Sequence, residues 1–431
     1  MKHRYWRPVV AAALAGMALA TAACGSSSGG STAAPTTVPT GKTAGETLKL
    51  YNDKGAWKAY FSKVGDLAKT QIGSNLDPVG YTDENAYQAF IKASLRTDVK
   101  PDLFTWATGG QLKSLVDENA VADTSALWKD AIAKGYLSKQ LEPYYTVSGK
   151  QYCVPLNVAY WGMFYNKHVF AKYGLQVPKT WADLEKIMST LKAAGVTPMY
   201  QTSTLFSFVW FEQLLAGSDP ATYNALAEGK AKYTDKPVVD AMKLWAQEEK
   251  AGYFTDPTIK TQPQSLLQTG DVAMVPFGTW FNTSMTSEGQ VPGKDYGFFV
   301  IPNVNPALQK TSVVFETGPL CALSSAPHLS DSLRALNWWL TPDAQALWAG
   351  SRDDVSANPK APIKDQTLKA VSTAAGNGQY TLINRYFEAA PPPVLTAALD
   401  AFGAFMANPD SYMDQLNTIQ KAADAYWAGQ H

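Results

Sequence analysis

From residue 47 onward, short strand-like runs alternate with helix-like runs, and that alternation restricts the body of the chain to an α/β architecture with helices packed on a mainly parallel sheet. "TLKLY" alternates apolar and polar residues and stops at Asn52 and Asp53. A helical stretch, "AWKAYFSKVGDLAKT", follows, then a strand around "LDPVGY" and a helix "ENAYQAFIKASLRT". "PDLFTW" is a strand ending at Trp106, and "GGQLKSLVDENAV" turns straight into a helix. Further on, "PKTWADLEKIMSTLKAAGV" is the best-marked helix. Thr180 and Asp183 form a capping box, and Leu184, Ile187, Met188 and Leu191 share one face. Gly195 suits the left-handed stop. Strands recur around "VAMVPF", "YGFFVIP" and "GPLCALSS". "SDSLRALNWWLTPDAQALWAG" reads as one late helix, and helices at "PVLTAALDAFGAFM" and "YMDQLNTIQKAADAYWAG" close the chain.

At 431 residues the chain exceeds one comfortable core, so two lobes are expected. Lys plus Arg and Asp plus Glu both number 37, so no basic field exists to hold nucleic acid. The 13 Trp and 21 Tyr exceed what a core needs, and such side chains suit surfaces that grip amphipathic ligands.

The N-terminus reads as an address. Lys2, Arg4 and Arg7 precede an apolar run from Val9 to Ala20, and residues 1–23 are expected to be a secretory signal peptide. Small residues then lead to Cys24, followed by a Gly/Ser/Thr/Pro-rich stretch to residue 46 that is expected to be a flexible tether. This arrangement resembles a bacterial lipoprotein cleavage site, which implies a lipid on Cys24 and anchorage at the outer face of the cell membrane. Removing the signal leaves 34 basic residues against 37 acids. The other two cysteines, Cys153 and Cys321, are either bonded or small buried hydrophobes.

Reaction chemistry is hard to find. His168 and His328 lack metal-spaced neighbours, and no HExxH, GxSxG, GxGxxG or phosphate-loop pattern occurs. No cofactor or metal is expected. Paired carboxylates, all that a glycosidase requires, are too common to carry weight.

Four segments in order resemble the extracellular solute-binding proteins of ABC importers, in the family that includes maltose-binding protein. They are "PDLFTWATGGQLKSLVDENAVADTSAL", "YCVPLNVAYWGMFYNKHVFAKYGLQVPKTWADL", "GDVAMVPFGTW" and "LSSAPHLSDSLRALNWWLTPDAQALWA". The resemblance spans about residues 46–430. It implies a two-lobed periplasmic-binding-protein-like α/β fold with inter-lobe crossover strands, closing by hinge motion on ligand. The first lobe would take 47–154 with 322–370, and the second 156–318 with 376–431. It also implies a carbohydrate ligand, expected to be an oligosaccharide, ABC permease subunits as partners, no bond chemistry, and a monomer. Cys153 and Cys321 would fall on the two neighbouring crossovers, so a disulfide between them is expected.

Sugars present apolar C–H faces and rings of hydroxyls. In "GDVAMVPFGTW", Pro276 and Gly278 would end a strand at the cleft and admit ligand close to the backbone, and Trp280 would stack on it or merely plug the sheet's end. Trp106 is either a second platform or a lobe-edge core residue. Gly110 and Gln111 open a helix whose free amides could bond a hydroxyl. Asn52 and Asp53 sit at a strand's C-terminal edge, facing ligand or forming an Asx-turn. Asn157, Tyr160 and Trp161 follow the first crossover, and Trp210 lies near the second lobe's mouth. Glu316 needs a partner, either a ligand hydroxyl or Arg352, which itself could pair at the surface with Asp353 or Asp354. Tyr386 and Phe387 match a region of late aromatics. A phosphate ligand would demand clustered Arg or Lys near the cleft, and the sequence shows none.

Overall fold

A computed structural model describes residues 38–204 and 206–429. The expected signal peptide and the expected lipidation site at Cys24 lie outside the described residues. Nine strands form one sheet: β1 (Thr47–Asn52), β2 (Asn75–Gly80), β3 (Leu103–Thr105), β4 (Val154–Asn166), β5 (Thr197–Met199), β6 (Val272–Gly278), β7 (Tyr296–Phe299), β8 (Thr311–Ala322) and β9 (Tyr380–Asn384). The order is β2-β1-β3-β8-β4-β6-β5, with β9 on β8 and β7 on β4. The sheet is mixed rather than mainly parallel. β1 runs parallel to β2 and β3, whereas β8 is antiparallel to both β3 and β4.

The two long strands organise everything else. β4 pairs with β8 over Val154–Tyr160, then with β6 over Trp161–Tyr165. β8 pairs first with β9 over Thr311–Phe315, then with β4, and last with β3 over Leu320–Ala322. Each strand therefore begins in one half of the sheet and ends in the other. Twelve of the thirteen β4 residues are buried, as their near-continuous apolar run requires of a strand covered on both faces. Contacts run continuously through this junction, and the described body forms a single compact unit. Where Pro319 faces Pro155 neither supplies an N–H, and the register shifts between Gly318 and Pro319. The orphaned carbonyls find donors elsewhere: Trp106 N donates to Pro319 O (3.0 Å) and Trp339 Nε1 to Pro155 O (3.1 Å). Beside this bulge, Cys153 and Cys321 form a disulfide with Cα atoms 4.2 Å apart.

The helix Trp181–Ala193 has the expected capping box, and its apolar stripe is buried. The single late helix expected over 330–350 is instead two, Leu329–Trp339 and Pro342–Ser351. Pro342 cannot continue the first, and Thr341 caps the second by accepting from Ala344 N. Part of the stretch expected as a tether lies along the body. Thr43 N donates to Ile72 O (3.2 Å), and Arg334 donates to Thr43 Oγ1 (2.6 Å). No described helix is long and apolar enough to cross a membrane.

Candidate functional site

β1, β2 and β3 deliver their C-terminal ends to one edge, where ligands bind open α/β sheets. After β1 the chain makes an Asx-turn: Asn52 Oδ1 accepts from Lys54 N (3.0 Å). The turn presents Asp53 and Lys54. Trp106 follows β3, and Gly109, at φ +66°, lets the Glu388 carbonyl approach to 2.8 Å of where a Cβ would stand. These segments meet Thr317 and Gly318 of β8, Phe206 beyond β5, and Arg385, Phe387 and Glu388 beyond β9. Together they enclose a cavity of about 200 Å³, also lined by Glu84, Gln88 and Gln111. A larger cavity of about 490 Å³ lies elsewhere, between the helix Phe281–Ser287 and residues 350–367.

Charge in the smaller cavity is dense and mostly paired. Lys54 Nζ lies 2.8 Å from Asp53 Oδ2, and Thr105 Oγ1 donates to Asp53 Oδ1 (2.6 Å). Burial works against ionisation of Asp53, but the Lys54 ammonium and these hydrogen bonds hold its carboxyl below the ordinary range. Arg385 forms ion pairs with Glu316 and Glu388, donating from Nε to Glu388 Oε2 at 2.8 Å. Burial disfavours the guanidinium, yet Glu316 and Glu388 hold it charged. Arg385 also sits over the rings of Trp161 (5.4 Å) and Phe387 (5.3 Å). Three buried polar atoms around the cleft have no protein partner: Trp106 Nε1, Trp161 Nε1 and Asn157 Oδ1.

The profile described as "Bacterial extracellular solute-binding protein" matches residues 28–346. The chain belongs to that family. Among curated members, an uncharacterised ABC transporter extracellular-binding protein of Pyrococcus horikoshii is 30% identical over 169 residues, 37% of this chain. A multiple sugar-binding protein of Streptococcus mutans is 38% identical over 74 residues, 16% of this chain. The matched stretches span only 38% and 18% of these relatives' lengths. Solved structures of two-lobed solute-binding proteins cover the chain far more fully. The bacterial solute receptor AcbH, described as preferring b-D-galactopyranose exclusively, superposes with TM-score 0.75 at 19% identity (89% of this chain, 99% of that one). A chitin oligosaccharide binding protein gives 0.72 at 16% (88% and 98%). RafE in complex with raffinose gives 0.69 at 16% (88% and 99%). At these identities the likeness establishes the fold, a two-lobed α/β solute-binding protein.

The family fold sorts the residues singled out from the sequence. Trp106, Asp53 and Gln111 line the cavity, and Gly110 stands exposed at the start of the helix Gly110–Asp117. Trp280 and Trp161 stand beside the cavity rather than in its lining. Phe206 lines it, stacking on Trp280 at 5.8 Å and 28° and meeting Trp161 edge-on. The space over Gly278 is taken by Trp280 itself, whose Nε1 lies 2.5 Å from where a Cβ would stand. That glycine makes room for an indole. Asn52 is occupied by its own turn, and Asn157 packs its amide against Gly318.

Four other choices lie outside the lining of the smaller cavity. Tyr160 lies on the opposite face of β4 from Asn157 and Trp161, because side chains alternate along a strand; it lines a separate small cavity with Ser372. Trp210 is buried between helices and donates to Glu248 Oε2 (2.6 Å). Tyr386 is core, hydrogen-bonded to Tyr233 (2.7 Å), and its neighbour Phe387 lines the cavity instead. Arg352 is buried, pairing with Asp354 (2.7 Å) between the rings of Trp57 (4.1 Å) and Trp348 (4.7 Å), so it is neither a surface residue nor the partner of Glu316. That partner is Arg385. Lys54 and Arg385 also supply cations at the cleft where none was expected, each already matched by acids. The sequence signal for Lys54 was its place directly after Asp53, and Arg385 had none beyond its place before the aromatic pair.

Proposed function

We propose that this chain is the sugar-capturing component of an ABC importer, held by a lipid on Cys24 at the outer face of the bacterial cell membrane and handing ligand to membrane permease subunits. The observation that carries the reading is the cavity itself. Aromatic faces (Trp106, Phe206, Phe387) and hydrogen-bonding groups (Asp53, Lys54, Gln111) converge where strand ends from both halves meet. The solved relatives described as preferring galactopyranose or as in complex with raffinose, and the S. mutans sugar binder, support a carbohydrate ligand. At about 200 Å³ the cavity suits a short saccharide better than a long one. In this reading the lobes are 47–154 with 322–370 and 156–318 with 376–431, the protein acts as a monomer, and it does not turn its ligand over.

A thermal-shift screen of mono- and oligosaccharides tests this. A true ligand at about 100 times its Kd adds about 2.7 kcal/mol of stability. No shift with any sugar overturns the proposal, and cleavage of a shifting sugar on long incubation overturns the non-enzymatic part.

A further inference from the structure

The cavity's charges are unequal, and the excess is negative. Asp53, Glu84 and Glu388 line it against only Lys54 and Arg385. Glu316 pairs with Arg385 from β8 and adds a fourth carboxylate at the same place. Both cations are committed: Lys54 to Asp53, and Arg385 to Glu316 and Glu388. Glu84 faces no cation within ion-pair distance among the described residues; its side-chain hydrogen bond is with Gln88 (3.2 Å), itself a lining residue. An arriving anion would therefore find no free positive charge and several carboxylates, whereas an arriving ammonium would find at the rim the exposed Glu84 carboxylate, which has no cation of its own although partial burial and Asp53 raise it above the ordinary carboxyl range. The aromatic lining repeats the preference on a small scale: one cation, Arg385, already lies over the Phe387 ring at 5.3 Å.

We infer that the site selects short sugars bearing a protonated amine over their neutral parents and rejects sugars bearing a carboxylate or phosphate. This rests on the sugar-binding reading above and narrows its ligand class. Neutral hydroxyls still find acceptors in Asp53 and Gln111, so a neutral sugar binds, but the amine gains a charge-assisted hydrogen bond that a hydroxyl does not.

Calorimetric titration at about pH 7, where a sugar amine is largely protonated, tests the order with two matched series: glucose, glucosamine, N-acetylglucosamine and glucuronate, and the same four in the galacto configuration. In the series that binds, the amine should bind about two- to fivefold tighter than the neutral parent, the size of an ion pair made with an exposed carboxylate. The N-acetyl sugar, with the same nitrogen but no charge, should lose that gain, and the uronate should bind more weakly than the parent. Glu84→Gln should abolish most of the amine's gain. A uronate as tight as its parent, or an amine no tighter, overturns the inference while leaving the sugar reading intact. Absence of binding by all eight, together with a blank oligosaccharide screen, overturns both.

Discussion

Trp106 answers two demands at once. Its ring is packed at the end of β3, within 6.3 Å of both Tyr87 and Phe104, while its indole N–H is buried without a protein acceptor. A core tryptophan placed only for packing would leave that donor unpaired at a cost of about 1–3 kcal/mol. A small shift of the ring on ligand binding would bring that donor to a ligand oxygen and remove the cost. Trp106→Phe keeps the apolar ring and deletes the donor, so it separates the two roles. The variant should fold with nearly unchanged melting temperature, yet bind the sugar giving the largest thermal shift roughly 2- to 12-fold more weakly, the value of one net hydrogen bond. Unchanged affinity by calorimetry would show that the N–H takes no part in binding. The same scale explains the misplaced residues. Tyr160 and Trp161 are neighbours in sequence, and one step along a strand sends them to opposite faces; composition at the crossover was legible, but its parity depended on where β4 begins to pair with β8.

Elements built from local signals are where sequence reading succeeds. The helix Trp181–Ala193 carries its own start, stripe and stop, and each is realised. The sequence signals only the last five residues of β8, because "TSVVFET" mixes polar and apolar residues and becomes a strand through pairing with β9 and β4, two long-range partners. The Arg385–Glu316 pair is likewise set by which strands lie side by side, and no spacing in the sequence announces it. The helices Val209–Ser218 and Lys236–Lys250 show a further consequence of element packing. Their contact buries Glu248 beneath Trp210, and burial raises the Glu248 carboxyl to about 8, against the opposing hydrogen bond from Trp210. Glu249 next to it is raised to about 7, again by burial. A carboxyl whose folded pKa lies above its unfolded value of about 4 keeps a proton in the folded chain that the unfolded chain releases. Its stabilising contribution is complete below about pH 4 and is lost as pH rises towards 8. The melting temperature should therefore decline by about a few degrees between pH 5 and 8, and Glu248→Gln should flatten that decline while leaving the part due to Glu249. Scanning calorimetry across that range measures both slopes, and identical slopes would show that Glu248 is ionised in the folded state.

At the scale of the whole molecule, the proposed lobes touch at a second place besides the cavity and the crossing strands. Residues 352–354 follow the helix Pro342–Ser351, which packs on the first-lobe helix Lys58–Gln71, and they meet the start of the second-lobe helix Phe281–Ser287. Thr279 Oγ1 donates to Asp354 Oδ1 (2.9 Å), Asn282 Nδ2 to Asp353 O (2.8 Å), Thr283 Oγ1 to Arg352 O, and Thr286 Oγ1 to Asp353 Oδ2 (3.2 Å). None of the four donors lines the smaller cavity. If this bridge forms only when the lobes close, it adds to ligand affinity without touching ligand, because binding is coupled to the closed state. Thr279→Val is the cleanest probe: the side chain keeps its shape, and Asp354 Oδ1 retains its bond from Val355 N (2.7 Å), so no buried acceptor is orphaned. Loss of about 1 kcal/mol from the closed state alone should weaken sugar binding about fivefold and raise the mean radius of gyration of the ligand-free protein in solution scattering, with saturating sugar restoring the compact value. Should affinity and scattering both match the parent while the melting temperature falls, the bridge persists through opening and belongs to the hinge rather than to closure.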